Sequence, residues 1–196
     1  MPKNSRHGQS EILTDSDYAR IFKHLNNPTH RLFLTIARFT GERWGAILQL
    51  KVTDCYKDPS EPVALDFVTF RACTRKASPD GTRETRQVPI HPLLKSELEN
   101  YHPPLQGWLF PSPRYADRPL RFQSADLWFR RAVEKAGLQR RGISTHSTRR
   151  TLITSLSRSG VSIPVLKKIT GHKNDRVLLR YVEVDPEQIT NAIALL

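Results

Sequence analysis

Residues 146–181 read HSTRRTLITSLSRSGVSIPVLKKITGHKNDRVLLRY, and this stretch decides how the rest of the chain is understood. Its polarity pattern predicts a helix over His146–Ser159 and a second over Ile163–Thr170, ended by Gly171. His146 and Arg149 stand three apart, which places both on one face if they are helical. Gly171-His172 follows the second helix, and Tyr181 comes nine residues after His172. Each is bland alone: a lone histidine is usually structural, a lone arginine solvated, a lone tyrosine packed.

Working outward, Leu32, Phe33, Ile36 and Phe39 recur at helical spacing until Thr40-Gly41 breaks the pattern, and Arg43 to Leu50 resumes it. Thr14, Asp15 and Asp17 suit a helix start, with Tyr18, Ile21, Phe22 and Leu25 as its apolar side. The period then changes. Val63, Leu65, Phe67, Val68 and Phe70 read as strand, as does Thr85 to Ile90. Pro79-Asp80-Gly81 between them is a turn signal, so a hairpin with a basic tip carrying Lys76 is expected. Helices are expected again at Pro92–Tyr101, Phe122–Ala136 and Pro186–Leu195, with the Pro-rich segment Pro103–Pro119 irregular. The fold class is therefore α+β, mainly helical, a single domain with a small antiparallel sheet.

The chain has 196 residues, with 31 Lys and Arg against 19 Asp and Glu, a formal charge of +12. That balance argues for a polyanionic partner, nucleic acid first. A hydrophobic content of 38% still supports a core at this length. No apolar run reaches the roughly 20 residues of a membrane span, and Met1 to Ser10 lacks the apolar stretch of a signal peptide. Cys55 and Cys73 form no CxxC pair, so neither a disulfide framework nor a cysteine zinc site is expected, and a cytoplasmic location is. Residues 1–10 read as a flexible basic tail, with the ordered domain over 11–196. Arg121, Arg130, Arg131, Arg140-Arg141 and Lys167-Lys168 are candidate phosphate contacts, each as readily a solvated charge. Trp44, Trp108 and Trp128 are expected in the core.

Taken together, Thr40-Gly41-x-Arg43, Lys76 ahead of Arg86-x-Val88-Pro89-Ile90, His146-x-x-Arg149, Gly171-His172 and Tyr181 resemble the tyrosine recombinase (phage integrase) family. The resemblance runs from Ile12 onward and is to the catalytic domain alone. The family's separate N-terminal DNA-clamping domain has no room here, which predicts weak, low-specificity DNA binding. The resemblance implies a DNA breaking-and-rejoining fold and a site made of Arg43, Lys76, His146, Arg149, His172 and Tyr181. It implies no cofactor and no metal. The partner it implies is double-stranded DNA, bound by a chain monomeric when free and tetrameric on DNA, with room for an accessory protein.

The chemistry wants these residue types. In-line attack on a phosphodiester builds charge on the equatorial oxygens, and two guanidiniums can hold them in a preorganised site. By the resemblance, Tyr181 attacks phosphorus, His146 moves its proton, Lys76 protonates the departing 5′ oxygen, and His172 hydrogen-bonds the phosphate. The 3′-phosphotyrosyl product keeps the ester energy, so rejoining needs no ATP. The family often carries an acid three positions after the first arginine; here that position is Ala46. Glu42, beside Arg43, is expected to point elsewhere on the helix and not to substitute. Thr170 stands where the family prefers Leu, a tolerable change. Two rival readings share the composition: nicking and resealing like a type IB topoisomerase, and a DNA-binding protein without catalysis.

Overall fold

The long helix at the centre of the protein shows why this chain folds as it does. In the computed structural model, which describes residues 9–77, 81–172, 174–182, 189–190 and 193–194, Pro28–Thr40 forms α2. Asn27 caps its start, with Pro28 in the first turn; both satisfy or avoid the orphan N–H groups of a helix N-terminus. Leu32, Phe33, Leu34, Ile36 and Ala37 are all buried, so this helix is surrounded rather than merely backed. α1 (Asp15–Lys23) precedes it and begins with a full capping box: Asp17 N–H donates to Thr14 Oγ1 and Thr14 N–H to Asp17 Oδ2.

After Gly41, α3 (Trp44–Ile47) is one short turn with Arg43 as its N-cap, so helical character resumes later and ends sooner than the sequence suggests. The expected strand from Val63 to Phe70 is broken in two. β1 (Tyr56–Asp58), missed in the sequence, pairs antiparallel with β2 (Val63–Ala64). β3 (Phe67–Phe70) pairs antiparallel with β4 (Arg86–Pro89) in the register Phe67↔Pro89 to Phe70↔Arg86. The expected small sheet is thus two separate two-stranded ribbons. Ala72–Thr74 forms a 3-10 turn after β3; Ser78 to Asp80, the expected hairpin tip, lie outside the described residues.

α4 (Pro92–Glu99) packs on α2, and the stretch to α5 (Phe122–Lys135) is irregular as expected, tied by isolated bridges Lys51↔Trp108 and Pro111↔Pro119. α6 (Ser147–Arg158) also packs on α2. Phe33 of α2 meets Trp44, Phe110 and Trp128 edge-on at centroid distances of 4.8, 5.2 and 5.8 Å. Such edge-to-face pairs join α2, α3 and α5 into one aromatic core, which settles Trp44 and Trp128 as packing residues. Trp108 is only half-buried, its Nε1 donating to Asp117 O.

A second, smaller cluster lies apart from this core: Ile153 of α6, Leu166 of α7 (Ile163–Thr170) and Leu178 of α8 (Asp175–Leu179). α8 was not read from the sequence. The expected helix Pro186–Leu195 and the basic tail fall almost wholly outside the described residues. No described helix is long and apolar enough to cross a membrane. Both cysteines are free thiols, Cys55 buried and Cys73 exposed.

Candidate active site

Two helix ends point at one arginine. The last carbonyls of a helix have no intrahelical partner and carry partial negative charge. Gly41 closes α2 in the left-handed conformation (φ 58°), and Gly171 closes α7 likewise (φ 67°). Arg149, in the first turn of α6 and 5% exposed, satisfies both ends. Its Nη1 donates to Gly41 O at 2.7 Å and its Nη2 to Thr170 O at 2.8 Å. Both glycines are needed for space as well as for φ. A Cβ on Gly41 would sit 3.0 Å from Leu152 Cδ2, and one on Gly171 would collide with the Arg75 guanidinium.

Glu42 corrects the sequence reading. It precedes α3 rather than lying on it, is fully buried, and faces into the site. Its Oε2 pairs with Arg86 at 2.9 Å and Arg75 at 3.1 Å. Its Oε1 accepts the Arg43 backbone N–H at 2.8 Å and lies 3.9 Å from Arg149 Nη1. The expectation that Glu42 points away is therefore overturned, because the left-handed turn at Gly41 sends the next residue inward. Burial alone would raise its carboxyl pKa, but Arg86, Arg149, the Arg43 N–H and Arg75 together hold it below the ordinary value.

Arg43, the N-cap of α3, is half-buried and lines a cavity of about 940 Å³ together with Lys76, Arg75, Arg86, Lys167 and His172. No described carboxylate pairs with the Arg43 guanidinium. Arg86 is 6% exposed, and its Nε and Nη1 are buried donors with no hydrogen-bond partner among the described residues. Lys76 is exposed on the cavity wall. His172 is 8% exposed, with Arg149 Nη2 3.2 Å from its Nε2. Tyr181 is half-buried on the smaller cluster, its ring centroid 6.1 Å from that of His172. The structure thus places Arg43, Lys76 and His172 on the wall of one cationic cleft, with Arg149 against His172 and the Tyr181 ring 6.1 Å from it. His146 is the N-cap of α6 with helical backbone angles (φ −82°, ψ −14°), its carbonyl accepting from the Arg150 N–H at 3.0 Å, and it is exposed where Arg149 is buried.

Sequence reasoning missed Glu42, Arg75 and Thr170. The signal for Arg75 and Arg86 was present, since both flank the hairpin that carries Lys76. Three of the proposed phosphate contacts are occupied internally: Arg141 pairs with Asp17 at 2.5 Å, Arg130 with Asp126 at 2.6 Å and Lys167 with Asp175 at 2.6 Å. Among the described residues no three His, Cys, Asp or Glu side chains gather as a metal site.

Electrostatics follow from crowding the guanidiniums of Arg75, Arg86 and Arg149 about the Glu42 carboxylate, with Arg43 nearby. Burial, then Arg43, pushes the Arg149 pKa down to about 9, which still leaves it charged at neutral pH. Burial, then Arg149, Arg43 and Arg86, pushes His172 from 6.5 down to about 3, so its ring is neutral in the folded chain. Below pH 6.5 the unfolded chain gains a proton that the folded one refuses, so stability falls as pH drops through the window between these two values. Glu42 adds a second loss as pH falls below its ordinary 4.5 and through its lowered folded pKa. Urea midpoints measured from pH 7 to 4 are expected to decline, and a His172→Asn chain to decline less over the upper part of the range. Equal slopes for both chains would refute this.

The architecture and the site can now be set beside known proteins. The model of the phage integrase family matches residues 11–188. The chain belongs to that family. It is 27% identical over 189 residues to the integrase of Escherichia phage P2, a match covering 95% of this chain and 47% of that protein. It superposes on the catalytic domain of bacteriophage HP1 integrase with a TM-score of 0.59 at 23% identity, covering 95% of each chain. It also superposes on the XerH site-specific recombinase bound to its difH substrate, with a TM-score of 0.69 at 17% identity, covering 96% of this chain and 55% of that one. These likenesses establish the fold as that of a tyrosine recombinase catalytic domain. The chain spans between 30% and 47% of the length of the curated relatives it matches.

Proposed function

We propose that the chain cuts and rejoins duplex DNA as a site-specific recombinase through a 3′-phosphotyrosyl intermediate. The observation that carries this is the cationic cleft lined by half-buried Arg43, Lys76 and His172, with buried Arg149 against His172 and the Tyr181 ring 6.1 Å from it, within a member of the phage integrase family. In this reading Arg43 and Arg149 hold the non-bridging oxygens of the scissile phosphate, where developing charge is stabilised by donors already in place. The unpartnered N–H groups of Arg86 favour an anion in the same cleft. The Tyr181 oxygen attacks phosphorus, its proton passing to His146. The bond from phosphorus to the 5′ oxygen breaks, and Lys76 protonates that oxygen. His172, between Arg149 and Tyr181, orients them. The reverse reaction, with a 5′-hydroxyl from another strand, completes strand exchange. We further propose that residues 11–196 act as the catalytic unit in the cytoplasm, free as a monomer and on DNA as a tetramer.

The test is incubation with nicked duplexes from which the cleaved 5′ end diffuses away, quenched in denaturing detergent. The expected result is a DNA-linked protein whose modified peptide contains Tyr181. A folded chain that binds DNA and never forms an adduct, across many sequences, would favour the binding-only reading. Arg149→Lys should slow adduct formation by about 10²–10³-fold, the usual cost of losing one preorganised donor to a developing oxyanion. An ammonium is a point charge and cannot span both helix-end carbonyls and a phosphate. Time courses of adduct formation check this, and an unchanged rate would remove Arg149 from the reaction.

A further inference from the structure

Between β3 and β4 the chain leaves the ribbon on one arm and returns on another, and three ties cross the neck of that loop. Ala72 N–H donates to Thr85 Oγ1 at 3.2 Å, Arg83 Nη1 to Cys73 O at 3.3 Å, and Arg75 Nη1 to Glu84 O at 2.7 Å. The first two join one arm to the other. The third goes further, because Arg75 Nε also donates to Glu42 Oε2 at 3.1 Å. The Arg75 guanidinium occupies the space that a side chain on Gly171 would fill. One planar group thus fixes both arms of the loop to the turn after α2, against the end of α7. The Arg75 side chain is 10% exposed and that of Glu42 is fully buried, so water screens this pair little.

Lys76 is the next residue, exposed and on the same cavity wall as Arg75. Its ammonium rides on a flexible four-carbon stem, so it is only as well placed as the backbone beneath it. A proton donor works by being held within hydrogen-bond reach of the oxygen it serves. A misplacement of roughly 1 Å can cost about 10²-fold in rate.

We infer that Arg75 is a positioning residue: it latches the loop between β3 and β4 onto Glu42 and so holds Lys76 at the cleft, where the departing oxygen takes its proton. Through Lys76 this rests on the phosphotyrosyl reading above. The rival role for a guanidinium on this wall is direct contact with the phosphate. The two roles make different demands. A phosphate contact helps whichever group leaves, whereas a latch on the proton donor matters only when the leaving group needs a proton.

The experiment uses that difference. Glu42 keeps Arg86 as a partner at 2.9 Å when Arg75 is replaced, so an Arg75→Gln chain should fold, with a urea midpoint to confirm it. Adduct formation is timed for the parent, Arg75→Gln and Lys76→Ala on two nicked duplexes of one sequence. One has oxygen and the other sulfur as the 5′ bridging atom. With sulfur, the bond from the Tyr181 oxygen to phosphorus forms and the bond from phosphorus to sulfur breaks. The thiolate, of ordinary pKa about 8.5, departs as the anion and needs no proton. Arg75→Gln is expected to react about 10- to 100-fold more slowly than the parent on oxygen and within about twofold of it on sulfur, in the same pattern as Lys76→Ala. Equal slowing on both duplexes would overturn the latch in favour of phosphate contact, and an unchanged rate on oxygen would overturn it outright. A second readout needs no DNA. The amides of Ala72 and Thr74 are hydrogen-bonded in the neck of the loop and should exchange with solvent about tenfold faster in Arg75→Gln. Equal exchange would overturn the latch whether or not the parent forms an adduct, and a parent without an adduct would count against the phosphotyrosyl reading instead.

Discussion

A Tyr181→Phe chain is expected to bind duplex DNA as the parent does and to yield no DNA-linked protein. The structure makes this a clean deletion of one oxygen. The ring packs against the cluster of Ile153, Leu166 and Leu178, and phenylalanine keeps that contact. The backbone of residue 181 is held at both ends without the hydroxyl: its N–H donates to Leu178 O at 2.9 Å, and its carbonyl accepts from Thr154 Oγ1 at 3.0 Å. Stability should therefore change by no more than about 0.5 kcal/mol. The other four of the chain's five tyrosines are poor substitutes. Tyr18 and Tyr56 are buried, which pushes their hydroxyls far above the usual range. The Tyr101 hydroxyl is shared with Thr29 Oγ1 at 3.1 Å, and Tyr115 lies on a loop between Arg114 and Arg118. Denaturing gels with end-labelled DNA decide the matter; an adduct surviving in Tyr181→Phe would assign the attack elsewhere.

Glu42→Ala is expected to cost about 3–5 kcal/mol of stability, the size typical of removing one partner from a buried ion pair. The reason is arithmetic in charge rather than volume. Arg75, Arg86 and Arg149 would remain packed together with their shared anion gone. Glu42→Gln keeps an acceptor for the Arg43 N–H but not the charge, and should recover only part of the loss. Urea denaturation at neutral pH measures both. A glutamine variant as stable as the parent would show that the carboxylate's charge is not what holds the arginines. The two substitutions also separate two functions of the site, since Tyr181→Phe should leave the melting curve in place while Glu42→Ala moves it.

Much of the candidate site was legible because the proposed chemistry needs side chains of fixed type at fixed places in the chain. Arg43, Arg149, His172 and Tyr181 could be named from their order, and the helices carrying them from apolar spacing. What escaped has a physical cause in each instance. Glu42 was misread because helical character was assumed to begin at Arg43's neighbour, whereas a left-handed glycine turns the chain before α3 starts. The two ribbons read as one sheet because Val63, Leu65, Phe67, Val68 and Phe70 supply apolar residues throughout, although their alternation changes phase at Phe67-Val68. α8 is a single turn between His172 and Tyr181, too short to leave a periodic signature.

The division of the apolar interior into two clusters has a mechanical consequence. Arg43 precedes α3, whose Trp44 sits in the large aromatic core, while α6, which carries Arg149, packs on α2 and also lends Ile153 to the smaller cluster. Tyr181, the proposed nucleophile, packs on the smaller cluster, with two backbone hydrogen bonds among the described residues. Opening that contact leaves the large core intact, so it belongs to the cheap, local end of the protein's unfolding spectrum. On the proposed reading the domain is a vice with a detachable blade: Tyr181 swings in or out at a small fraction of the energy that unfolding would demand, while the large core stays closed.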